Sequence, residues 1–128
     1  MDIETILLVA IGVALLGFVC CVMMAAALFR KLADHQHEHH HHLWVSDGRP
    51  CGDAASKREV GFWDLASSFA GGTLFWRWYR ETPDWAIGDI KAVTLLTRLR
   101  RWATAACGAW ILVALSSILL GLKTGTLN

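Results

Sequence analysis

The chain has 128 residues, of which 55% are hydrophobic, and its formal net charge at neutral pH is +1. This length suits one modest domain, and the near-neutral charge excludes the strongly basic surface of nucleic-acid-binding proteins. The hydrophobic residues are concentrated in two runs that flank a charged middle region. We therefore predict an all-α membrane protein whose two transmembrane helices form a hairpin.

The first predicted element is a transmembrane helix over residues 6–29, which follows a short acidic N-terminus over residues 1–5. The acidic start and the long apolar run do not fit a cleaved secretory signal peptide. Ala10 and Ala14 have the small-residue spacing that lets helix backbones approach each other in lipid. Cys20 and Cys21 lie inside this helix, and we interpret them as small apolar residues.

Residues 30–60 are predicted to form a histidine-rich linker and loop. All six histidines of the chain lie within eight positions: His35, His37, His39, His40, His41 and His42. Neutral imidazoles bind Zn, Cu and Ni, so the tract is a candidate metal site, with Cys51 as a further candidate ligand. The alternatives are an inserted affinity tag and a polar linker whose charge rises as pH falls. Asp-Gly and a proline within residues 46–50 predict a turn.

Residues 61–81 are predicted to form an interfacial amphipathic segment, with a kink or two short helices at Gly71 and Gly72. Aromatic and arginine side chains alternate there in a way that suits a lipid headgroup region, and equally a protein interface. Plain core packing is the third alternative. The candidate interface residues of this segment are Phe62, Trp63, Phe69, Phe75, Trp76, Arg77, Trp78, Tyr79 and Arg80.

The last predicted element is one long helix over residues 83–122, about 60 Å in length. Thr82 is its predicted N-cap and Pro83 its first residue, and Gly88 is not expected to end it. Residues 82–101 would form a cytoplasmic half, residues 102–122 the second transmembrane helix, and residues 123–128 a short extracytoplasmic tail. The predicted membrane boundary between the halves is formed by Arg98, Arg100, Arg101 and Trp102.

The distribution of basic residues predicts the orientation of the hairpin. Eleven of the twelve lysines and arginines lie between the two spans, and Lys123 is the exception. By the positive-inside rule the central region is cytoplasmic and both termini are extracytoplasmic, as in a multi-pass protein of the cell inner membrane. Neither span contains an ionisable Asp, Glu, Lys, Arg or His, which argues against an ion pathway through this chain alone.

The layout resembles the universal stress protein B family of small two-span bacterial inner-membrane proteins. The resemblance lies in Ser46, Gly48 and Pro50, in the aromatic–arginine stretch 75–80 and in the stretch 98–102, and it covers residues 43–120. The chain departs from the family in its histidine tract and in residues 53–69. The resemblance implies a stress-linked role in the envelope, and it transfers no catalytic residue to this chain.

The sequence predicts a non-catalytic function. It contains no phosphate-binding loop, nucleophile elbow or zinc-protease signature. We expect an accessory or stabilising subunit of a larger membrane complex, or a stress-linked envelope protein, without a cofactor. Its expected partners are the lipid bilayer and either a membrane protein or a second copy, but not nucleic acid. The alternative is a metal sensor or carrier that uses the histidine tract, and a third class is a membrane enzyme subunit whose active site is completed by partners.

Overall fold

The computed structural model of the protein describes residues 2–49 and 72–124. These residues form helices and turns, and no strand occurs among them, which confirms the predicted all-α fold with two long apolar helices. Predictions for residues 50–71, including Cys51, Phe62, Trp63 and Phe69, lie outside the described residues. The elements in chain order are α1 (Ile3–His39), α2 (His41–Ser46), α3 (Thr73–Arg80), a 3-10 turn (Asp84–Ala86) and α4 (Ile90–Thr124).

The helices α1 and α4 are both long and apolar enough to cross a membrane. They contain 37 and 35 residues, which correspond to about 55 and 53 Å, whereas a bilayer core is about 30 Å thick. In the most apolar 18-residue window of α1 no residue is buried, and in that of α4 the buried share is 11%. Such exposed apolar surface is compatible with a two-span membrane protein.

The chain forms two compact units. The first, which we call the apolar unit, comprises Met1–Met23 and Trp102–Asn128. Within it α1 and α4 run antiparallel, because Lys123 Nζ lies 3.4 Å from Glu4 Oε1 while the rings of Phe18 and Trp110 meet at 5.3 Å. Small side chains, chiefly Ala103 and Ala106, are buried on α4, which allows the two backbones to approach closely.

The second unit, which we call the aromatic unit, comprises Met24–Arg101. Its core is built around the ring of Phe29 on α1, which lies 5.9 Å from Phe75 and 5.2 Å from Trp78. Trp78 also meets Trp85 of the 3-10 turn at 5.6 Å. Among residues 24–49 and 72–101, the largest fully buried side chains are Trp78, Phe75, Leu32, Leu96, Leu99 and Gln36.

The helix α1 does not end at residue 29 as predicted but continues to His39. The stretch 30–39 contains neither glycine nor proline, and Leu32, Ala33 and Gln36 are buried at helical spacing. Tertiary packing of this face therefore extends the helix past Arg30 and Lys31, which follow the predicted end of the span at residue 29. The predicted linker over residues 30–60 thus begins with ten helical residues.

The helix α4 begins at Ile90 rather than at Pro83. Pro83 has an extended backbone (φ −65°, ψ 145°), and Gly88 has a φ of +91°, which is incompatible with a continuous right-handed helix. Asp89 then caps the new helix, because its Oδ1 accepts the amide hydrogens of Lys91 and Ala92 at 3.0 and 3.1 Å. The N-cap is thus Asp89 and not the predicted Thr82.

The turn predicted within residues 46–50 is confirmed at the residues that the structure describes. The amide of Asp47 donates to the carbonyl of Leu43, and Gly48 follows with a φ of +84°. At the predicted break before α3, Gly72 has an extended backbone and Thr73 is the first helical residue. Gly72 therefore directly precedes the first residue of α3.

Candidate functional site

The helix α3 has two faces of different character. Phe75 and Trp78 lie three positions apart and are 1% and 0% exposed, so both belong to the core of the aromatic unit. Trp76 is 48% exposed, and Arg77 and Arg80 are exposed as well. Of the three alternatives for this stretch, core packing therefore applies to Phe75 and Trp78. The lipid headgroup and protein interface alternatives concern the exposed face of the helix.

The exposed face, which we call the Trp76 face, consists of Trp76, Tyr79 and Arg80. The ring of Tyr79 is half-buried and meets Trp76 edge-on at a centroid distance of 5.9 Å. Arg80 has no ion-pair partner among residues 2–49 and 72–124. The face thus presents two aromatic side chains beside an exposed guanidinium group, a combination that is frequent among the anchor residues of protein interfaces.

Asp47 holds α3 against the end of α1. Its Oδ1 accepts a hydrogen bond from Arg77 Nη2 at 2.5 Å, and its Oδ2 accepts one from Gln36 Nε2 at 2.8 Å. The side chain of Gln36 is completely buried, so its amide needs such a partner. Arg77, a predicted interface residue, is therefore engaged in an intramolecular ion pair, although its side chain is 54% exposed.

The arginines that precede the second span have separate roles. Arg100 donates from Nε and Nη2 to the backbone carbonyl of Trp78 at 3.2 and 2.9 Å, and Nη2 also lies 3.3 Å from Thr82 Oγ1. Arg98 and Arg101 are exposed and have no ion-pair partner in the described part of the chain. Trp102, the next residue, is 37% exposed. Of the three arginines at the predicted membrane boundary, Arg100 thus has a structural role, whereas Arg98 and Arg101 form no ion pair with another described residue.

The histidine tract contributes a buried hydrogen bond to the aromatic unit. His35 is 5% exposed, and its Nε2 lies 2.6 Å from Asp89 Oδ2. Asp89 therefore uses one carboxylate oxygen to cap α4 and the other to bind α1. The hydrogen bond from the His35 side chain is the main cause that lowers the pKa of Asp89 to about 2, assisted by the amide of Ala92.

The histidine rings pack in pairs, His35 with His39 at 4.3 Å and His37 with His41 at 4.9 Å, and several of them also contact a tryptophan. The rings of His37 and His41 pack against the buried Trp44 at 4.6 and 5.5 Å, and His40 meets Trp85 at 5.5 Å. His39 Nδ1 lies 3.1 Å from the carbonyl of His35. Among residues 2–49 and 72–124 no three His, Cys, Asp or Glu side chains are grouped to hold a metal ion. The hypothesis of a metal site therefore depends on the high density of histidines in the tract, whose last member, His42, is exposed.

We expect the stability of the protein to fall in acid because of Asp89. Its pKa is lowered from 3.8 to about 2, so the ionised carboxylate stabilises the fold above pH 4 and that contribution is lost as pH falls towards 2. Thermal unfolding in detergent, followed by circular dichroism between pH 6 and 2, measures this loss. In Asp89→Asn, which keeps a capping oxygen but not the charge, this part of the pH dependence should disappear. An identical acid profile in both proteins would contradict the assignment.

An open pocket of about 290 Å³ lies beside the ion pair of Asp47 and Arg77. Glu81, Asp84 and Trp85 also contribute to its wall. Glu81 and Asp84 are exposed, and solvated carboxylates of this kind neither activate a nucleophile nor bind a ligand without further groups. We therefore place the candidate site on the outer face of α3 and not in this pocket.

Two aspartates in the structural network, Asp47 and Asp89, were not singled out as site residues from the sequence. The pattern Gly88-Asp89 before an apolar periodic stretch is a typical helix-start signal, so the cap of α4 was detectable. The pairing of Asp47 with Gln36 and Arg77 joins residues 11 and 30 positions apart. No local pattern contains such a contact, because it depends on how the helices pack.

Comparison of the chain with protein-family models, with curated proteins and with solved structures found no significant match. The resemblance to the universal stress protein B family therefore stays a prediction that is based on the sequence alone. The structure defines an all-α protein with two helices able to span a membrane. Its candidate site is the Trp76 face, and the basic residues at the start of the second span lie elsewhere on the same unit.

Proposed function

We propose that this chain is a small, non-catalytic membrane protein that crosses the inner membrane twice and serves as an accessory or stabilising subunit of a larger membrane complex. The observation that carries this proposal is the 48% exposure of Trp76 on a helix whose other aromatic face is buried. The ring of Trp76 packs against Phe75 at a centroid distance of 5.3 Å, but about half of its large apolar surface stays in contact with water, which is unfavourable. Contact with another molecule would remove that cost.

The geometry of the Trp76 face supports a protein partner over a lipid surface. The helix α3 has eight residues, and Arg77 on its exposed side is tied to Asp47. The Trp76 face contributes two aromatic side chains, so its apolar surface is smaller than that of helices that lie flat in a membrane interface. An aromatic pair beside an arginine that forms no ion pair with another described residue fits the centre of a protein interface with an acidic residue on the partner.

The orientation of the proposed protein follows from its basic residues. Lys31, Arg80, Arg98 and Arg101 all belong to the aromatic unit, and the positive-inside rule assigns that unit to the cytoplasmic side. The Trp76 face would then meet its partner in the cytoplasm close to the membrane. A role in envelope stress is the form of this function that the family resemblance favours.

Purification in a mild detergent tests the proposal. The full chain should elute in a particle that contains a second polypeptide at fixed stoichiometry, and the variant Trp76→Ala/Arg80→Ala should lose that polypeptide. The matched control is Ile87→Ala, which removes another exposed apolar side chain, 67% exposed, from the same unit. The control should retain the partner, and both variants should keep the wild-type melting temperature.

Three results would contradict the proposal. The wild-type chain could elute alone, the double variant could retain the partner, or the control could lose it equally. If the second polypeptide were another copy of this chain, the face would be a homo-oligomer interface and the accessory role would be wrong.

A further inference from the structure

The basic residues at the beginning of the second span lack counter-ions within their own helix. The sequence of α4 contains Lys91, Arg98, Arg100, Arg101 and Lys123 but neither Asp nor Glu. Arg100 is occupied by the carbonyl of Trp78. Arg98 and Arg101 are exposed, three positions apart and unpaired within residues 2–49 and 72–124. Two guanidinium groups therefore face outwards immediately before the apolar stretch that starts at Trp102.

A third exposed cation of the aromatic unit, Lys31, has no ion-pair partner within residues 2–49 and 72–124. Lys31 and Leu95 line one pocket of about 230 Å³, and Arg98 follows Leu95 by one helical turn. Lys31 is exposed and lies two residues after Phe29, the last residue of the predicted first span. We call Lys31, Arg98 and Arg101 the basic collar. Its members lie within about 7 Å, along their helices, of the predicted ends of the spans.

We infer that the basic collar binds the phosphate groups of anionic phospholipids. The headgroup layer adds about 5–8 Å on each side of the hydrocarbon core, which matches the depth of the collar. Lysine and arginine near an anionic leaflet each contribute about 1 kcal/mol, equivalent to roughly a five-fold gain in affinity. Arginine also engages a phosphate through two parallel hydrogen bonds, which favours Arg98 and Arg101 for this role.

The carboxylates near the collar do not neutralise it. Asp34 and Glu38 also line the pocket of Lys31, yet neither lies within ion-pair distance of Lys31 or Lys91. Asp34 Oδ1 is buried and has no hydrogen-bond partner in the described part of the chain. Glu38 lies about two turns further from the predicted membrane edge than Lys31. The collar therefore keeps its positive charge at the level where lipid phosphates lie.

This inference rests on the membrane insertion that we propose, but not on a protein partner. The test uses the full chain in vesicles of phosphatidylcholine with a minor fraction of phosphatidylglycerol. Electron paramagnetic resonance of spin-labelled lipids measures the preference of the protein surface for phosphatidylglycerol over phosphatidylcholine. We expect a preference of about five-fold or more, which should fall towards unity in Arg98→Gln/Arg101→Gln.

The matched control is Lys91→Gln, which removes an exposed positive charge from the first turn of the same helix, about 16 Å along α4 before Trp102. The control and the conservative variant Arg98→Lys/Arg101→Lys should both keep most of the preference. Retention of the full preference in the glutamine variant, or its equal loss in the control, would overturn the inference. Competition by inorganic phosphate at the same ionic strength would identify a free-anion site and would overturn it as well. A chain that fails to float with the vesicles contradicts the proposed function and this inference together.

Discussion

Replacement of Trp78 by alanine is expected to destabilise the aromatic unit by about 3–5 kcal/mol. Trp78 is fully buried and packs against Phe29 and Trp85, so the substitution removes a large apolar side chain that its neighbours cannot fill. Its indole nitrogen has no hydrogen-bond partner in the described part of the chain, so packing carries the effect. Denaturant unfolding in detergent micelles, followed by tryptophan fluorescence, measures the loss.

Trp76 provides an unusually close control for this experiment. It lies on the same helix two positions earlier, but its side chain is 48% exposed. Trp76→Ala removes the same number of atoms and should change the free energy of unfolding by less than about 1 kcal/mol. Equal losses in the two variants would mean that the burial of α3 is not as described.

The second large effect is expected for Arg100→Ala, with a loss of about 2 kcal/mol. Trp78 lies in the last turn of α3, where backbone carbonyls have no partner within the helix. The Arg100 guanidinium satisfies this carbonyl with two hydrogen bonds, and alanine would leave it unpaired. Lysine retains the charge but not the planar fork, so Arg100→Lys should recover only part of the loss. Unfolding in detergent micelles measures these differences in stability.

Arg98→Ala tests whether the effect of Arg100 is specific. It removes the same charged group two positions earlier on α4, but Arg98 is exposed and makes no described ion pair. Its free energy of unfolding should change by no more than about 0.5 kcal/mol. A similar loss in both variants would assign the effect to charge and not to the carbonyl of Trp78.

The fold class could be predicted from the sequence because hydrophobic run length is a local property. The two apolar stretches identify α1 and α4 without knowledge of their partners. The residues at which the helices end are harder to predict from the sequence. The end of α1 was placed ten residues too early, because the burial of Leu32, Ala33 and Gln36 is decided by other elements.

The start of α4 shows a different limitation. Both Thr82-Pro83 and Gly88-Asp89 are acceptable helix starts by local rules. The second is used because Asp89 also receives the hydrogen bond of His35, 54 positions earlier in the chain. A contact between such distant residues selects one of two locally reasonable solutions, and no window of sequence contains that information.

The sequence indicates which types of residue make up the candidate site. It does not indicate which of their side chains are buried and which are exposed. The stretch 75–80 was correctly recognised as rich in aromatic and arginine residues. Phe75 and Trp78 are buried because they lie on the side of the helix that contacts Phe29, whereas Trp76 lies on the exposed side. Helical spacing gives this pattern only when the position of Phe29 is known. In the same way, the sequence does not distinguish the role of Arg100 from that of Arg98. The difference is that the guanidinium of Arg100 reaches the carbonyl of Trp78.

The two carboxylate oxygens of Asp89 couple the local unfolding of two helix ends. One oxygen holds the first amides of α4 and the other holds His35 near the end of α1, so neither helix end can fray independently. A fluctuation that detaches His35 also loosens the first turn of α4, and the reverse holds equally. Two helix ends that are distant in sequence thus belong to one cooperative opening unit. Amide hydrogen exchange at Lys91 and Ala92 would report on the integrity of the histidine tract.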